Sequence, residues 1–139
     1  MARTILLTGS AGFIGSHTAV QLRSRGDNVV GIDNLNDYYD PKRKRANLEV
    51  IAATPGGSFE FVHGDIRDRP LLAELFKKHK FDAVIHLAAM AGVRASMDDP
   101  HLYFDVNLVG TLNLLDATRD HKVGNFVFAS TSSVYGDTK

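Results

Sequence analysis

The sequence contains no cysteine among its 139 residues. This absence excludes disulfide bonds, a thiolate nucleophile and any metal site with a cysteine ligand. The chain also lacks an excess of charge. Its 16 basic and 16 acidic residues give a formal net charge of zero, so nothing favours nucleic acid or a membrane surface as a partner. The apolar segment near the start is too short for a signal peptide or a membrane span. We therefore expect a cytoplasmic protein that binds neither nucleic acid nor membrane.

What is present is the composition of a globular domain, with 44% hydrophobic and 23% charged residues. The length suits one domain with its own core. The single basic run, residues 42–45, follows Asp40-Pro41, a pair typical of a helix N-cap and a first helical residue. We interpret this run as the solvated side of a short helix rather than as a nucleic-acid patch.

Strand and helix patterns alternate along the chain. Short apolar runs predict strands at residues 4–8, 28–32, 59–63, 82–87 and 125–129. Helices are predicted at residues 13–25, after Asp40-Pro41, around residues 72–79, and from Asp99-Pro100 to about His121. The inward stripe of the last helix is expected to be Tyr103, Val106, Asn107, Gly110, Leu114 and Ala117. Helical crossovers imply a parallel sheet covered on both faces, so we predict a Rossmann-type doubly wound α/β fold with strand order 3-2-1-4-5.

A glycine-rich loop lies between the first strand and the first helix, with the sequence Gly9-Ser10-Ala11-Gly12-Phe13-Ile14-Gly15. In this position Gly9 allows a tight turn, Gly12 lets the backbone approach a pyrophosphate, and Gly15 lets the helix pack against the strand. Backbone N–H groups at the helix start would then face the anion. The order of strand, glycines and helix favours a dinucleotide site over a plain turn.

Two acidic residues follow predicted strands. Asp33 ends the second strand, where a carboxylate can accept hydrogen bonds from the adenosine ribose and repel a 2′-phosphate, which favours NAD over NADP. A solvated strand-end aspartate is the alternative. Asp65 follows the third strand and could reach the adenine amino group, with Ile66 packed on the ring, although a simple turn explains this segment equally well.

Several motifs along the chain together resemble a known protein family, and they occur in the order in which that family has them. Besides the glycine loop, the motifs are Asp33-Asn34-Leu35, Gly64-Asp65-Ile66, His86-Leu87-Ala88-Ala89, Asp105-Val106-Asn107 and Ser130-Thr131-Ser132-Ser133-Val134-Tyr135-Gly136. The chain resembles the extended short-chain dehydrogenases that act on nucleotide sugars. Within that family, residues 33–39 and Ala91-Gly92-Val93-Arg94 look most like the UDP-glucuronate 4-epimerases.

The resemblance implies an NAD-dependent epimerase that oxidises C4 of a UDP-sugar transiently and returns the hydride to the other face. It implies cofactor contacts from Gly9, Gly12, Phe13, Ile14, Gly15, Asp33, Asn34, Asn36, Asp65, Ile66, Leu87, Ala88, Ala89 and Asn107. Core packing remains the alternative for residues 87–89, and a structural role remains the alternative for Asn107.

For catalysis, the resemblance implies that Thr131 hydrogen-bonds the reacting oxygen and that Arg94 and Ser132 contact substrate. The alternatives are an ordinary loop hydroxyl at Thr131 and a surface arginine at Arg94. Related 4,6-dehydratases carry Asp-Glu after this threonine, and decarboxylases usually carry Glu at position 133. Ser132-Ser133 therefore favours an epimerase over a dehydratase or a decarboxylase. Two further functions stay open, namely a non-catalytic NAD-binding module, which would have no use for Thr131, and a relative acting on sterols or flavonoids.

The final segment lacks a helix to cover the fifth strand. We expect residues 1–139 to be the N-terminal, NAD-binding part of a longer protein, with the fold truncated after strand five and the C-terminal substrate-binding region absent. Such a chain should bind NAD weakly or not at all, and it should not turn over UDP-glucuronate. It should also form a homodimer or self-associate through its exposed sheet edge.

Tyr135 and Lys139 have the spacing of the Tyr-x-x-x-Lys catalytic pair of short-chain dehydrogenases. Gly136 and Asp137 lie between them and are poor helix residues, whereas a catalytic pair needs one helical face. We interpret the spacing as a coincidence and place the true pair downstream. His86, on an apolar strand, is interpreted as a core histidine and not as a catalyst.

Overall fold

The computed structural model describes residues 1–137. Its sheet has five strands, β1 (Thr4–Thr8), β2 (Asn28–Asp33), β3 (Phe59–His63), β4 (Ala83–His86) and β5 (Asn125–Phe128). All neighbouring strands pair in parallel, and their order is β3-β2-β1-β4-β5. The predicted strand order is therefore confirmed. β1 lies at the centre, so the loops that follow β1, β2 and β4 meet at one edge of the sheet.

Helices connect the strands on both faces of the sheet. They are α1 (Phe13–Ser24), α2 (Pro41–Ala53), α3 (Arg69–Lys78), α4 (Val93–Asp98), α5 (Pro100–Phe104) and α6 (Thr111–Asp120). A π-helical segment, Asp105–Gly110, joins α5 to α6, and a 3₁₀ turn, Ser132–Tyr135, follows β5. Of the described helices, none is long and apolar enough to cross a membrane.

Three helices begin with the same local chemistry. Asp40, Asp68 and Asp99 are the N-caps of α2, α3 and α5, and each carboxylate accepts a hydrogen bond from a backbone N–H two or three residues later. A proline stands within the first two helical positions of each helix. At these positions a backbone N–H would have no acceptor within the helix, so proline loses no hydrogen bond there. These caps explain why the Asp40-Pro41 and Asp99-Pro100 pairs predicted helix starts correctly.

The apolar core lies on both faces of the sheet. On one face Leu6 and Val84 pack in a cluster with Leu72 and Leu114. On the other face Leu7 packs in a cluster with residues of α1 and α2. Because adjacent strand residues point to opposite faces, Leu6 and Leu7 serve different clusters although both are fully buried.

The predicted helix from Asp99 to about His121 is confirmed in its extent, but its geometry is not regular throughout. The chain changes to π-helical geometry at Asp105, and residues 93–98 form a separate short helix that the sequence pattern did not reveal. A π turn contains an additional residue and rotates the following residues around the axis. Beyond the turn, Leu114 of the predicted stripe is buried as expected, and Ala117 is partly buried against the same core cluster. Asn113 and Thr118, which the stripe did not include, are buried as well.

Candidate cofactor site

A cleft of about 800 Å³ opens at the edge where the loops after β1, β2 and β4 meet. All the predicted cofactor residues except Asn107 line it, namely Gly9, Gly12, Phe13, Ile14, Gly15, Asp33, Asn34, Asn36, Asp65, Ile66, Leu87, Ala88 and Ala89. These residues come from separate segments of the chain. The fold therefore brings together in one cleft the residues that the sequence motifs singled out.

The glycine loop has the geometry of an anion cradle. Gly9 has a φ of 69°, a left-handed conformation, and a β-carbon there would lie 2.8 Å from the Ala88 backbone nitrogen. A β-carbon on Gly15 would overlap the Gly9 carbonyl oxygen, so the helix can approach the loop only with glycine at this position. Gly12 is the N-cap of α1 and provides no side-chain hydrogen bond to the first turn. The first N–H groups of α1 consequently stay available to a negatively charged group.

Asp33 is buried at the end of β2 and held by backbone donors. Its Oδ2 accepts a hydrogen bond from the Ala11 N–H at 3.1 Å, and its Oδ1 accepts one from the Leu35 N–H at 2.9 Å. The Ala11 contact ties the carboxylate to the glycine loop. The alternative of a solvated Asp33 is therefore excluded.

Lys44 corrects the interpretation of the basic run as fully solvated. Lys42, Arg43 and Arg45 are not buried, but Lys44 is buried and lines the cleft. Its Nζ lies 3.7 Å from the Asp33 Oδ1 and donates a hydrogen bond to the Asn36 Oδ1 at 2.9 Å. The predicted pattern missed this because four consecutive basic residues conceal which one faces inward.

Asp65 lies at another wall of the cleft and is fully engaged with neighbouring side chains. The Arg67 guanidinium donates two hydrogen bonds to it, at 2.9 and 2.8 Å, and the Asn34 amide donates a third at 3.0 Å. The hydrogen bonds from Arg67 are the main cause that lowers the pKa of Asp65 to about 2. Asp65 is therefore an ionised acceptor at neutral pH, and Arg67 is a neighbour that the sequence motifs did not indicate.

Two tyrosines, one in the loop after β2 and one on α5, anchor the loop after β4 beside the cleft. Tyr38 and Tyr103 both donate hydrogen bonds from their hydroxyls to the Ala91 carbonyl, at 2.7 and 2.6 Å. The Asn107 amide pairs with the backbone of Met90 in both directions, at 2.8 and 2.9 Å. Asn107 does not line the cleft, contrary to its expected cofactor contact. Its amide instead orders the loop after β4, which is the structural role named as the alternative.

The predicted catalytic and substrate residues lie apart from the cleft wall. Thr131 and Ser132 are exposed in the segment after β5, and the Thr131 Oγ1 accepts a hydrogen bond from the Ser133 N–H at 3.2 Å. Arg94 is exposed on α4. Ala129, directly after β5, does line the cleft. The segment that contains Thr131 therefore begins at the margin of the cleft.

Tyr135, the first residue of the Tyr-x-x-x-Lys spacing, lies in the short turn after β5. Tyr135 is exposed and ends the 3₁₀ turn rather than standing on an α-helix. Gly136, which follows it, has a φ of 62°, where an α-helix cannot continue. Lys139, the second residue of the pair, lies outside the described residues.

His86 is a core histidine, as predicted. Its ring is buried between the Thr8 hydroxyl at 2.7 Å and the Thr111 hydroxyl at 2.9 Å. Burial lowers its pKa to about 4. Between Met1 and Asp137, no three histidine or carboxylate side chains gather into a group able to hold a metal ion.

The residues present fit a dinucleotide. The first N–H groups of α1 and the missing β-carbons of the glycine loop form an anion cradle. The buried Asp33 carboxylate at the end of β2 and the buried Lys44 ammonium group on α2 lie beside it. The small side chains of Ala88 and Ala89 leave room along the end of β4.

Comparison with known proteins gives matches along nearly the whole chain. The family model described as GDP-mannose 4,6 dehydratase matches residues 6–139. UDP-glucuronate 4-epimerase 4 of Arabidopsis thaliana is 48% identical over 96% of this chain and 30% of its own length. UDP-glucose 4-epimerase of Pisum sativum is 45% identical over 97% of this chain and 38% of its own length. The chain thus spans less than two fifths of these curated relatives.

Solved structures show the same arrangement. UDP-glucose-4-epimerase from Stenotrophomonas maltophila, solved with bound NAD and formylated UDP-arabinopyranose, superposes with a TM-score of 0.87 at 40% identity. The match covers 99% of this chain and 39% of that one. The UDP-Glc/GlcNAc 4-epimerase from Campylobacter jejuni gives a TM-score of 0.88 at 35% identity, over 99% of this chain and 40% of that one.

Proposed function

The chain belongs to the GDP-mannose 4,6 dehydratase family of extended short-chain dehydrogenases, and on that premise we propose that it is the NAD-binding part of a nucleotide-sugar 4-epimerase. The observation that carries this proposal is the pairing of high identity to 4-epimerases with a cleft built for a dinucleotide. We further propose that residues 1–139 form the N-terminal domain and that the substrate-binding region belongs to a longer protein. The limited share of each relative that the chain spans supports this division.

The proposed NAD site uses the cleft from end to end. The first N–H groups of α1 would bind the pyrophosphate, because the helix N-terminus is positive and no side chain caps it. Asp33 would accept hydrogen bonds from the adenosine ribose. Asp65 and Ile66 would contact the adenine, and Ala88 would border the dinucleotide along the end of β4.

The proposed reaction divides the chemistry between cofactor and protein. NAD, when bound, supplies a hydride acceptor for C4 of the sugar and returns the hydride to the opposite face. The Thr131 hydroxyl can both donate and accept a hydrogen bond, so it would hold the reacting C4 oxygen as its proton leaves and returns. The resemblance implies that a downstream Tyr-x-x-x-Lys pair moves that proton.

We propose a uronic-acid sugar, UDP-glucuronate, as the substrate. The identities to glucuronate and glucose epimerases differ little, so the choice rests on the residues. The two segments that resemble the UDP-glucuronate 4-epimerases, residues 33–39 and 91–94, contact each other through the Tyr38 hydroxyl and the Ala91 carbonyl. Arg94, exposed beside this contact, would pair with a carboxylate or a phosphate of the substrate.

Two competing functions differ in their chemistry. A 4,6-dehydratase would need a carboxylic acid and a base beside Thr131, and the residues there are Ser132 and Ser133. A non-catalytic NAD-binding module would need no hydroxyl at this position.

We also propose that the chain self-associates through the edge strand β5. Val127 and Phe128 on this strand are about half exposed, at 53% and 54%.

The test is an activity assay on the complete reading frame that contains this chain. We expect conversion of UDP-glucuronate to UDP-galacturonate, with slower or no reaction of UDP-glucose. A Thr131→Val variant should lose at least about 100-fold in kcat, in the range of a lost acid–base contact, whereas Thr131→Ser should retain most activity. NAD binding without epimerisation of any UDP-sugar would favour the non-catalytic module. Turnover by the 139-residue chain alone would contradict the proposed division into domains.

A further inference from the structure

The loop after β3 is supported from behind by two residues that do not line the cleft. We infer that Asn113 on α6 and Gly110, the last residue of the π-helical segment, position this loop so that Ile66 faces the adenine of the bound dinucleotide. Both act through Ile66 rather than by contact with the cofactor, so they are positioning residues. The inference rests on the proposed function in so far as the loop after β3 contacts the adenine.

Asn113 is a polar side chain in a buried position of α6. It is 6% exposed, and a buried amide needs hydrogen-bond partners. Its Nδ2 group donates to the Ile66 carbonyl at 3.2 Å and to the Arg67 carbonyl at 3.3 Å. An amide nitrogen has two hydrogens, so one side chain can serve two successive carbonyls. Within residues 1–137 these carbonyls accept no other hydrogen bond. The hydrogen bonding of the loop to α6 therefore depends on Asn113.

Gly110 lies three positions before Asn113 and makes room for the Ile66 side chain. Its backbone is helical, with a φ of −59°, so alanine would suit the backbone conformation. A β-carbon there would nevertheless lie 2.5 Å from Cδ1 and 2.6 Å from Cγ1 of Ile66, much closer than packed carbon atoms approach. The missing β-carbon of Gly110 therefore determines how closely the buried Ile66 can pack against this helix.

Ile66 joins this support to the cleft. It lines the cleft beside Asp65, and both residues belong to the short turn that follows β3. A hydrogen bond from the Asp68 N–H to the Asp65 carbonyl, at 3.0 Å, closes this turn. Because the turn is short and closed, a shift of the Ile66 carbonyl would also move the neighbouring residues that face the cleft. Asn113 can therefore affect the cofactor without contacting it.

A purely structural Asn113 would behave differently from a positioning residue. If Asn113 only provided donors for buried carbonyls, its loss would lower the free energy of unfolding and leave the NAD affinity of the folded protein unchanged. If Asn113 positions the loop, its loss must weaken NAD binding in the folded protein. Turnover at saturating NAD should change little, because the nicotinamide is at the opposite end of the dinucleotide from the adenine.

The experiment measures the NAD dissociation constant by calorimetry. It uses the protein from the complete reading frame that contains this chain, freed of bound cofactor. Asn113→Leu, which has a similar branched shape and no donor, should raise this constant about tenfold and change kcat at saturating NAD by less than about twofold. The dissociation constant needs no turnover, so an error in the proposed reaction would leave this measurement intact.

Thr118→Val is the matched control. Thr118 is also a buried polar residue of α6, but its hydroxyl donates to the Leu114 carbonyl of the same helix, at 2.7 Å, and not to the loop. Its substitution by valine should lower the midpoint of urea denaturation, as that of Asn113 by leucine does, because each removes buried hydrogen bonds. The NAD dissociation constant of Thr118→Val should stay at its wild-type value.

Gly110→Ala tests the contact with Ile66 independently. This substitution should raise the NAD dissociation constant several-fold, because its methyl group displaces Ile66. Ile66→Ala removes both atoms that the new β-carbon would meet, and it should itself weaken NAD binding. In the Ile66→Ala background, Gly110→Ala should have no further effect, so the two substitutions should be strongly non-additive.

Asn113→Leu leaves two buried carbonyls without a donor and could prevent folding, so Asn113→Ala is measured in parallel. Its smaller side chain gives water access to the carbonyls, and it should raise the dissociation constant at least about threefold. A wild-type dissociation constant in either folded Asn113 variant, or an equal effect of Gly110→Ala with and without the Ile66 side chain, would overturn the positioning role and leave NAD binding intact. Failure of the wild-type protein to bind NAD would overturn the cofactor proposal as well.

Discussion

The imidazole of His86 on β4 and the hydroxyl of Thr8 on β1 are joined by a hydrogen bond of 2.7 Å. The Thr8 Oγ1 also accepts the N–H groups of Leu87 and Ala88, at 3.1 and 3.0 Å. Its own proton is therefore directed to the His86 Nδ1. That leaves the proton of the neutral ring on Nε2, which donates to the Thr111 hydroxyl at 2.9 Å. The chain of donors and acceptors defines one neutral tautomer and fixes the loop after β4 beside the cleft.

The first prediction concerns the dependence of stability on pH. Burial lowers the pKa of His86 to about 4 from an ordinary value of 6.5, so between these values the unfolded chain binds a proton that the folded chain does not. His86 should therefore contribute fully to the free energy of unfolding above pH 6.5, and this contribution should be lost as the pH falls towards 4. The loss should reach roughly 3 kcal/mol.

Urea denaturation between pH 4 and pH 7.5 measures this effect. A His86→Asn variant should be less stable at pH 7 and should show a shallower loss of stability on acidification. The exposed His101 provides the control, because His101→Asn removes a histidine without touching the buried hydrogen bonds. If the His86→Asn variant and the wild-type chain lose stability in parallel between pH 6.5 and pH 4, His86 does not cause the loss, and the conclusion that it is buried in its neutral form is wrong.

The sequence predicted those parts of the site that local chemistry determines. Gly9 and Gly15 could be placed because a left-handed turn and a close helix approach each demand glycine, and both conditions are met. Asp33 could be placed because it ends a strand beside the glycine loop. The strand order followed from the alternation of strands with helical crossovers.

The side-chain contacts that determine helix geometry and burial could not be read from the sequence. The π turn is accompanied by a hydrogen bond from the Thr111 hydroxyl to the Asn107 carbonyl and by the packing of Gly110 against Ile66. Neither contact is visible in the apolar periodicity of the sequence. The predicted stripe therefore includes Val106 and Leu114, which are buried, but omits the buried Asn113 and Thr118. Lys44 was missed because its burial depends on Asp33 at the end of β2 and on Asn36 in the segment between β2 and α2, and the run of four basic residues does not indicate these contacts.

The second prediction is a change of cofactor preference in an Asp33→Asn variant. The substitution removes the negative charge that would repel a 2′-phosphate and leaves the Lys44 ammonium group 3.7 Å from the altered side chain. The ratio of NADP affinity to NAD affinity should rise at least about tenfold, as expected for a charge-assisted phosphate contact. The variant without cofactor should be less stable by about 3 kcal/mol, because a buried cation loses its partner.

Calorimetry with NAD and NADP tests the preference, and two further variants locate its cause. Asp37→Asn makes the same change of charge in the same loop at a residue that does not line the cleft, and it should leave the ratio unchanged. Asp33→Asn combined with Lys44→Met should lose the gain in NADP affinity. A gain that survives the loss of Lys44 would assign the effect to Arg43, the other basic residue lining the cleft.

The third prediction concerns the clamp that Tyr38 and Tyr103 form on the Ala91 carbonyl. This carbonyl connects the loop after β2 to the loop after β4, and both loops line the cleft. Tyr38 reaches this carbonyl from the loop after β2 and Tyr103 reaches it from α5, so either single variant leaves the carbonyl one donor that holds the loop after β4. Tyr38→Phe or Tyr103→Phe alone should therefore raise the NAD dissociation rate by less than about threefold, since one hydrogen bond contributes about 1 kcal/mol or less at an exposed site. The double variant leaves neither hydroxyl and should raise the rate at least about tenfold, more than the product of the single effects.

Stopped-flow displacement of NAD measures these rates in the single and double variants. Tyr39→Phe is the control, because its hydroxyl makes no hydrogen bond within residues 1–137 although its ring packs edge-on against Tyr38. It should leave the dissociation rate at its wild-type value, since the shared acceptor keeps both of its donors. Strictly multiplicative effects of the two single substitutions would show that the hydroxyls act independently and that the shared carbonyl does not hold the loops together.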